Sequence, residues 1–190
     1  MVKYGFYILG ALILFSCIPT RRLEGVNGGK GNKVPYKGYK FTKGSKFAPS
    51  IYEVIDPNYF YELIGRYELD RKLKVIEDIG KDIVSVRVLQ FYYNGRIRVF
   101  PKIEENPNPE KVGYRGVIYK QGNKTKIDFF KGVSQDGDMG IVTYQVWVEG
   151  DKLLLLERSL HNIILNEIPC YIYEKKDKVP EEWKQYKPDW

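Results

Sequence analysis

Three pairs of apolar-rich runs joined by tight glycine turns dominate this chain, and no helical run separates them; alternation is lost in residues 152–158, where Leu153 to Leu156 are all apolar. Residues 83–93 lead through Asn94-Gly95 into residues 96–100. Residues 114–120 lead through Gln121-Gly122-Asn123 into residues 124–130, and residues 141–148 through Glu149-Gly150-Asp151 into residues 152–158. Asn-Gly is the strongest short hairpin signal, because both positions tolerate φ > 0. Within these runs Thr125, Ile127 and Phe129 alternate with Lys124, Lys126 and Asp128, the period-two pattern of a half-buried strand. Residues 168–173 add a strand, and residues 66–69 and 73–76 bring the total to eight or nine. Residues 59–64, after the turn signal Asp56-Pro57-Asn58, read as a short helix or 3-10 turn.

Consecutive hairpins predict an all-β fold, an antiparallel up-and-down meander with short helical turns at its ends. A meander of this length leaves two exposed edges unless it closes on itself. Closure at about eight strands gives a barrel whose interior either fills with side chains or holds one small ligand. A two-sheet sandwich, usually wired by longer crossovers, is the competing solution. With 43% hydrophobic and 29% charged residues in 190, the chain is neither disordered nor a polytopic membrane protein.

The net charge of +7 is unevenly placed. Residues 18–50 carry eight basic side chains against Glu24 alone, whereas residues 51–190 hold 22 basic and 23 acidic residues. The excess therefore sits in a glycine-rich N-terminal segment and not on a folded face, which argues against a nucleic-acid reader. Such a segment reads as a flexible tether, either a solvated spacer or a strip that rests on anionic lipid or polyanionic surface material. Tyr36, Tyr39, Phe41 and Phe47 are aromatics through which its second half could dock onto the domain. Four parts follow: residues 1–16 as a signal peptide, 17–50 as a tether, 51–178 as the barrel and 179–190 as a tail.

The first of these parts starts with Lys3 and an apolar run from Tyr4 to Phe15, too short to span a bilayer. Leu14-Phe15-Ser16-Cys17 resembles the lipobox of bacterial lipoproteins; an ordinary signal peptide with an incidental Cys17 is the alternative. The resemblance implies diacylglycerol on the Cys17 sulfur, cleavage before it, and an N-terminal acyl chain such as palmitate. Several acyl chains give stable anchoring where one does not. No Asp follows Cys17, which resembles sorting to the outer membrane, facing the periplasm.

Gly65-Arg66-Tyr67 resembles the Gly-x-Trp start of the lipocalins (calycin-like barrels), with Tyr67 where that family carries Trp. The resemblance spans residues 60–175 and implies a barrel that binds a small apolar ligand, with Arg158 packed across the Tyr67 ring. On the apolar phases of the strands, Val86, Val88, Ile97, Val99, Tyr119, Ile127, Phe129, Tyr144 and Val146 either line a cavity or fill a core.

Catalytic chemistry is sparse. His161 is the single histidine, near Ser159, and no nucleophile elbow or phosphate loop occurs. Asp136-Gly137-Asp138 lacks the further oxygens of a Ca²⁺ loop, and Cys170 on an alternating strand reads as a buried apolar residue. The chain is thus expected to be a binding protein, without metal, cofactor or nucleic acid. Its expected partners are the membrane, through the anchor, and a small apolar ligand; an envelope protein contacted by an accessory lipoprotein is the alternative.

Overall fold

The computed structural model of the protein describes residues 18–24, 30–80, 88–101, 106–133, 138–188 and 190. An N-terminal hairpin joins β1 (Thr20–Glu24) to β2 (Lys30–Pro35). Two 3-10 turns, Thr42–Lys46 and Pro49–Glu53, precede β3 (Tyr59–Leu69) and the short β4 (Val75–Asp78). The meander continues with β5 (Val88–Phe91), β6 (Arg96–Phe100), β7 (Tyr114–Gln121), β8 (Lys124–Gly132), β9 (Met139–Glu149) and β10 (Lys152–Glu157). Helix α1 (Leu160–Leu165) leads into β11 (Ile168–Lys178), and a last 3-10 turn spans Glu181–Trp183.

Strands β5 to β11 pair antiparallel in chain order, β5 pairs with β3, and β11 returns to β3 from Ile168↔Leu69 to Lys178↔Tyr59. Eight antiparallel strands therefore close a barrel, as the run of hairpins predicts, and closure removes the edges that an open meander would expose. Strand β4 lies outside the ring, paired only with the second half of β3. Inside, Tyr61, Leu63, Leu89, Phe91, Ile118 and Leu153 belong to one buried cluster. Ile51 and Ile55, from the Pro49–Glu53 turn and just after it, join that cluster, and the Tyr52 hydroxyl donates to the Tyr92 carbonyl oxygen at 2.6 Å. This turn plugs the barrel end that carries the tight hairpin turns.

Those turns follow local chemistry. Gly122 and Gly150 open two-residue loops with φ of 61° and 60°, as a type II′ turn requires. At Asn94-Gly95 only Gly95 takes a positive φ, 75°, with its N–H donating to the Tyr92 carbonyl. That hairpin is thus a type I turn closed by a glycine bulge, in place of the I′ turn that Asn-Gly suggests. The Phe47 ring lies on the Gly95 α-carbon, where an added Cβ would stand 2.5 Å from it. Gly95→Ala is expected to cost about 2–4 kcal/mol from backbone strain and overpacking together. Gly122→Ala, strained but open around its Cβ, costs about 1 kcal/mol. Urea unfolding of both variants measures the difference, and equal losses would mean that Phe47 does not seat on the turn.

The structure departs from the sequence expectations at several places. Residues 59–64 are strand, not helix, because Tyr61 and Leu63 face the core while the backbone pairs with β5 and β11 on either side. Gly65-Arg66-Tyr67 consequently lies within β3 and does not open it. Arg158 is exposed and Tyr67 packs outside, beside Leu69, Leu156, Ile168 and Cys170; the ring under the Arg66 guanidinium is Tyr171, at 5.5 Å. The second half of the expected tether docks on the barrel, with Phe41 buried, Tyr39 and Phe47 packed on the buried clusters and Lys43 paired with the buried Asp128 at 3.1 Å. Residues 18–24 and 30–35, expected to be flexible, fold as a hairpin with Leu23 and Val34 buried. The tail beyond residue 178 is a strap. Trp183 packs on Phe60 and Phe100, and the Trp190 indole N–H donates to the Gly116 carbonyl at 2.9 Å. Both segments settle where the outer barrel face is itself apolar, which offsets the entropy of ordering them.

Candidate functional site

The barrel end opposite the plug carries the longer connections, and there the inner faces of five strands turn from apolar to polar. On β8 the inward phase runs Ile127, Phe129, Lys131; on β9 it holds Val146, Tyr144 and Val142; on β10 it runs Leu153, Leu155, Glu157. Tyr171 supplies β11, stacked edge-on against Tyr144 with centroids 5.9 Å apart. Strand β3 reaches the same end through a bulge. Its pairing slips between Gly65↔Ile172 and Leu63↔Tyr173, leaving Ile64 as the extra residue. The slip moves the inward phase from Tyr61 and Leu63 to Arg66 and Glu68.

These side chains form one network. Lys131 Nζ donates to the Tyr144 hydroxyl, which donates to Glu157 Oε2 at 2.9 Å, and Lys131 also pairs with Glu157 at 3.3 Å. Arg66 pairs with Glu68 beneath Tyr171. Burial, reinforced by the Glu157 carboxylate and Tyr171, holds the Tyr144 phenol well above its ordinary pKa. Tyr171 is pushed up to about 12 by burial and by Glu157. Both phenols are therefore neutral donors at neutral pH. Two cations face two carboxylates, and the charges are nearly matched. Two polar atoms are not matched: Glu68 Oε2 and Arg66 Nε are buried without a hydrogen-bond partner among the described residues. An unmet buried polar atom costs about 1–3 kcal/mol, so a guest that satisfied either would gain from it.

Of the residues expected on the inner face, Ile97, Val99, Ile127, Phe129, Tyr144 and Val146 lie in the interior cluster. Val88 and Tyr119 do not, and their assignment is corrected. Val88 faces outward to Phe60, Phe100 and Trp183, while its neighbours Leu89 and Phe91 point in. Tyr119 faces outward with Val117 and Phe41, donating to Asp128 at 3.0 Å, and Ile118 points in. On β7 both faces are apolar because the N-terminal segment and strap cover the outer one, so alternation alone carries no phase there. Val86 and Cys17 lie outside the described residues.

The other residues singled out in the sequence lie away from this network or outside the described residues. Ser159 caps α1, its hydroxyl accepting from the Asn162 N–H at 3.1 Å, and His161 lies on that helix. Cys170 is 1% exposed on the outer face of β11, and burial pushes its thiol up to about 11. The Asp136-Gly137-Asp138 loop falls largely outside the described residues. Sequence reading missed Lys131, Glu157, Arg66, Glu68 and Tyr171. For Lys131 and Glu157 a signal existed, since each continues the apolar phase of its strand by one step. No family model matches this chain, and no curated protein or solved structure matches it either.

Proposed function

We propose that the protein is a lipid-anchored component of a bacterial envelope whose barrel binds a small amphipathic molecule at the end opposite the plug, in the manner of the lipocalins it resembles. The observation that carries this reading is the inward network of Lys131, Tyr144 and Glu157 beside the unmet acceptor of Glu68. A guest's polar group meets that network, while its apolar part lies against Tyr114, Val142 and Tyr171, which pack half-buried on the interior cluster. The interior below is occupied by rings in edge contact, Tyr61 with Phe91 and Phe129 with Tyr144, so the guest sits at the rim and not deep in the barrel. The lipobox-like Leu14-Phe15-Ser16-Cys17 supports anchoring through Cys17. The reading is of a binding protein, and nothing in the network requires turnover.

Organic extraction of the purified full chain, followed by mass spectrometry, tests the binding. The expected result is a small molecule recovered at about one per chain from the wild type and lost from a Lys131→Met/Glu157→Met double variant. Equal recovery from both would overturn the site. Mass analysis of the N-terminus in cells treated with a lipoprotein signal peptidase inhibitor tests the anchor, which predicts a diacylated precursor that is not cleaved.

The second reading, an accessory protein acting through a protein contact, is favoured by a half-exposed apolar outer face of Tyr67, Trp147, Leu154 and Ile172, on the side that strap and hairpin leave uncovered. Crosslinking from Trp147 in intact cells distinguishes the two, with a reproducible partner expected only under the second.

A further inference from the structure

The C-terminal strap crosses the outer barrel wall near the plugged end and is pinned at two points. The Val179 N–H donates to the Asn58 carbonyl at 2.8 Å, and the Asn94 side-chain amide donates to the Pro188 carbonyl at 2.6 Å. Between these points a cleft of about 310 Å³ opens between strap and barrel. Its walls are Pro57, Tyr92, Tyr93, Val179 and Tyr186, and Lys184 at its edge is paired with Glu181 at 2.6 Å. Tyr93 is held in place, its hydroxyl donating to Asn58 Oδ1 at 2.8 Å and its ring edge-on to Tyr52 with centroids 6.3 Å apart. Gln90, 2% exposed on the outer phase of β5, also lines the cleft. Its Oε1 accepts from the Tyr92 hydroxyl at 3.2 Å. Its Nε2 has no hydrogen-bond partner among the described residues and yet is not sealed off, so the amide N–H groups open on the cleft.

A donor at the foot of a cleft with aromatic and aliphatic walls is poorly served by solvent, and a guest that brings it an acceptor gains that contact in addition to ring burial. Flat tyrosine rings offer faces and edges against which a second ring stacks. The volume lies at the lower end for ligand sites and leaves room for a fused two-ring compound. A sugar would bring several hydroxyls to walls that offer it one buried amide. We propose that this cleft binds a small uncharged aromatic compound carrying a carbonyl-type acceptor, with its ring against Tyr93 and Tyr186 and its acceptor on the Gln90 amide. The two pinned ends of the strap hold the site open in advance, so binding orders little of the chain. The cleft lies on the other side of the barrel wall from the Lys131–Tyr144–Glu157 network and at the opposite end, and it requires neither that network nor an anchor at Cys17.

The test follows the Gln90 side-chain amide by NMR in the full nitrogen-15-labelled chain, with 2-acetylnaphthalene as the probe. Titration is expected to shift both Gln90 amide protons saturably, a readout that a guest at the barrel mouth leaves unmoved. The matched probe 2-ethylnaphthalene has nearly the same shape without the acceptor, and it is expected to bind about tenfold more weakly, the loss of one hydrogen bond to a buried donor. Gln90→Met removes the donor at similar volume and is expected to abolish the preference between the two probes, read from the ring signals of the cleft tyrosines. Tyr186→Ala, at a half-exposed strap position, leaves the buried amide in place and is expected to weaken both probes about fivefold. Equal affinity of the two probes for the wild type, or a preference that persists in Gln90→Met, would overturn recognition through the Gln90 amide. No saturable Gln90 shift, or unchanged affinity in Tyr186→Ala, would overturn the cleft itself.

Discussion

Phe129→Ala is expected to lower the unfolding free energy by about 3–5 kcal/mol, a large share of the roughly 5–15 kcal/mol that a domain has. The ring is 5% exposed and spans the barrel interior, edge-on to Tyr144 at 5.8 Å. It lies directly over Gly116 on the neighbouring strand, where an added Cβ would stand 2.5 Å from its Cδ1 atom and 2.7 Å from the Asp128 carbonyl oxygen. Glycine is required at position 116 for that reason, because any side chain there would occupy the volume of the ring. Removing the ring leaves an apolar void beside Ile127, Ile118 and Tyr144, which cannot collapse inside a closed ring of hydrogen-bonded strands. The melting temperature should fall by about 10 °C. The void should also accept benzene, so that benzene-saturated buffer raises the melting temperature of the variant and not of the wild type. Gly116→Ala alone makes the opposite error and costs about 1–3 kcal/mol through overpacking. The double variant should be more stable than the sum of the single losses implies, since its new methyl enters space that the ring has left. Strict additivity in denaturant unfolding would show that ring and glycine do not meet.

Alkaline pH is expected to unfold the barrel in step with a late group of tyrosines. Burial pushes Tyr92 and Tyr171 up to about 12, and it drives Tyr52, Tyr144 and Tyr173 upward too. A phenol whose pKa is raised by folding stabilises the native state fully below the unfolded value near 10. That contribution is lost as pH rises through 10 towards the folded value. For Tyr92 and Tyr171 the loss reaches about 2–3 kcal/mol each by pH 12, at 1.36 kcal/mol per unit. Together with the three others this rivals the whole stability of a domain. Phenolate absorbance and far-ultraviolet circular dichroism followed together check the expectation. The buried group ionises above pH 10 in one cooperative step as the strand signal disappears. Tyr171→Phe, which cannot ionise, should shift that step to higher pH. A single smooth titration near pH 10 over an intact barrel would sink the assignment of these rings to dry surroundings.

Much of this architecture is legible locally. The Gly122-Asn123 and Gly150-Asp151 turns and the Asn94-Gly95 bend stand where the sequence places them. A two-residue connection leaves so few backbone options that glycine position and strand ends agree. Strands with one wet face were legible as well: on β8, Lys124 and Lys126 mark the outside and Ile127 and Phe129 the inside. Legibility fails where both faces are covered. On β5 and β7 every position from Val88 to Phe91 and from Arg115 to Tyr119 is buried. The assignment of Val88 and Tyr119 to the inside therefore had no polar partner to correct it.

Local sequence determined the all-β class, the hairpin positions within the barrel and its approximate strand number, because turn geometry and side-chain alternation act over two to five residues. Tertiary structure alone decided that β11 would close on β3. It also placed Ile64 as the bulge that turns Arg66 and Glu68 inward, and folded the basic N-terminal segment and the aromatic strap onto the outer wall. Each of these outcomes depends on partners about 70 to 170 residues away along the chain. Their energies come from surfaces that exist only once the barrel has closed.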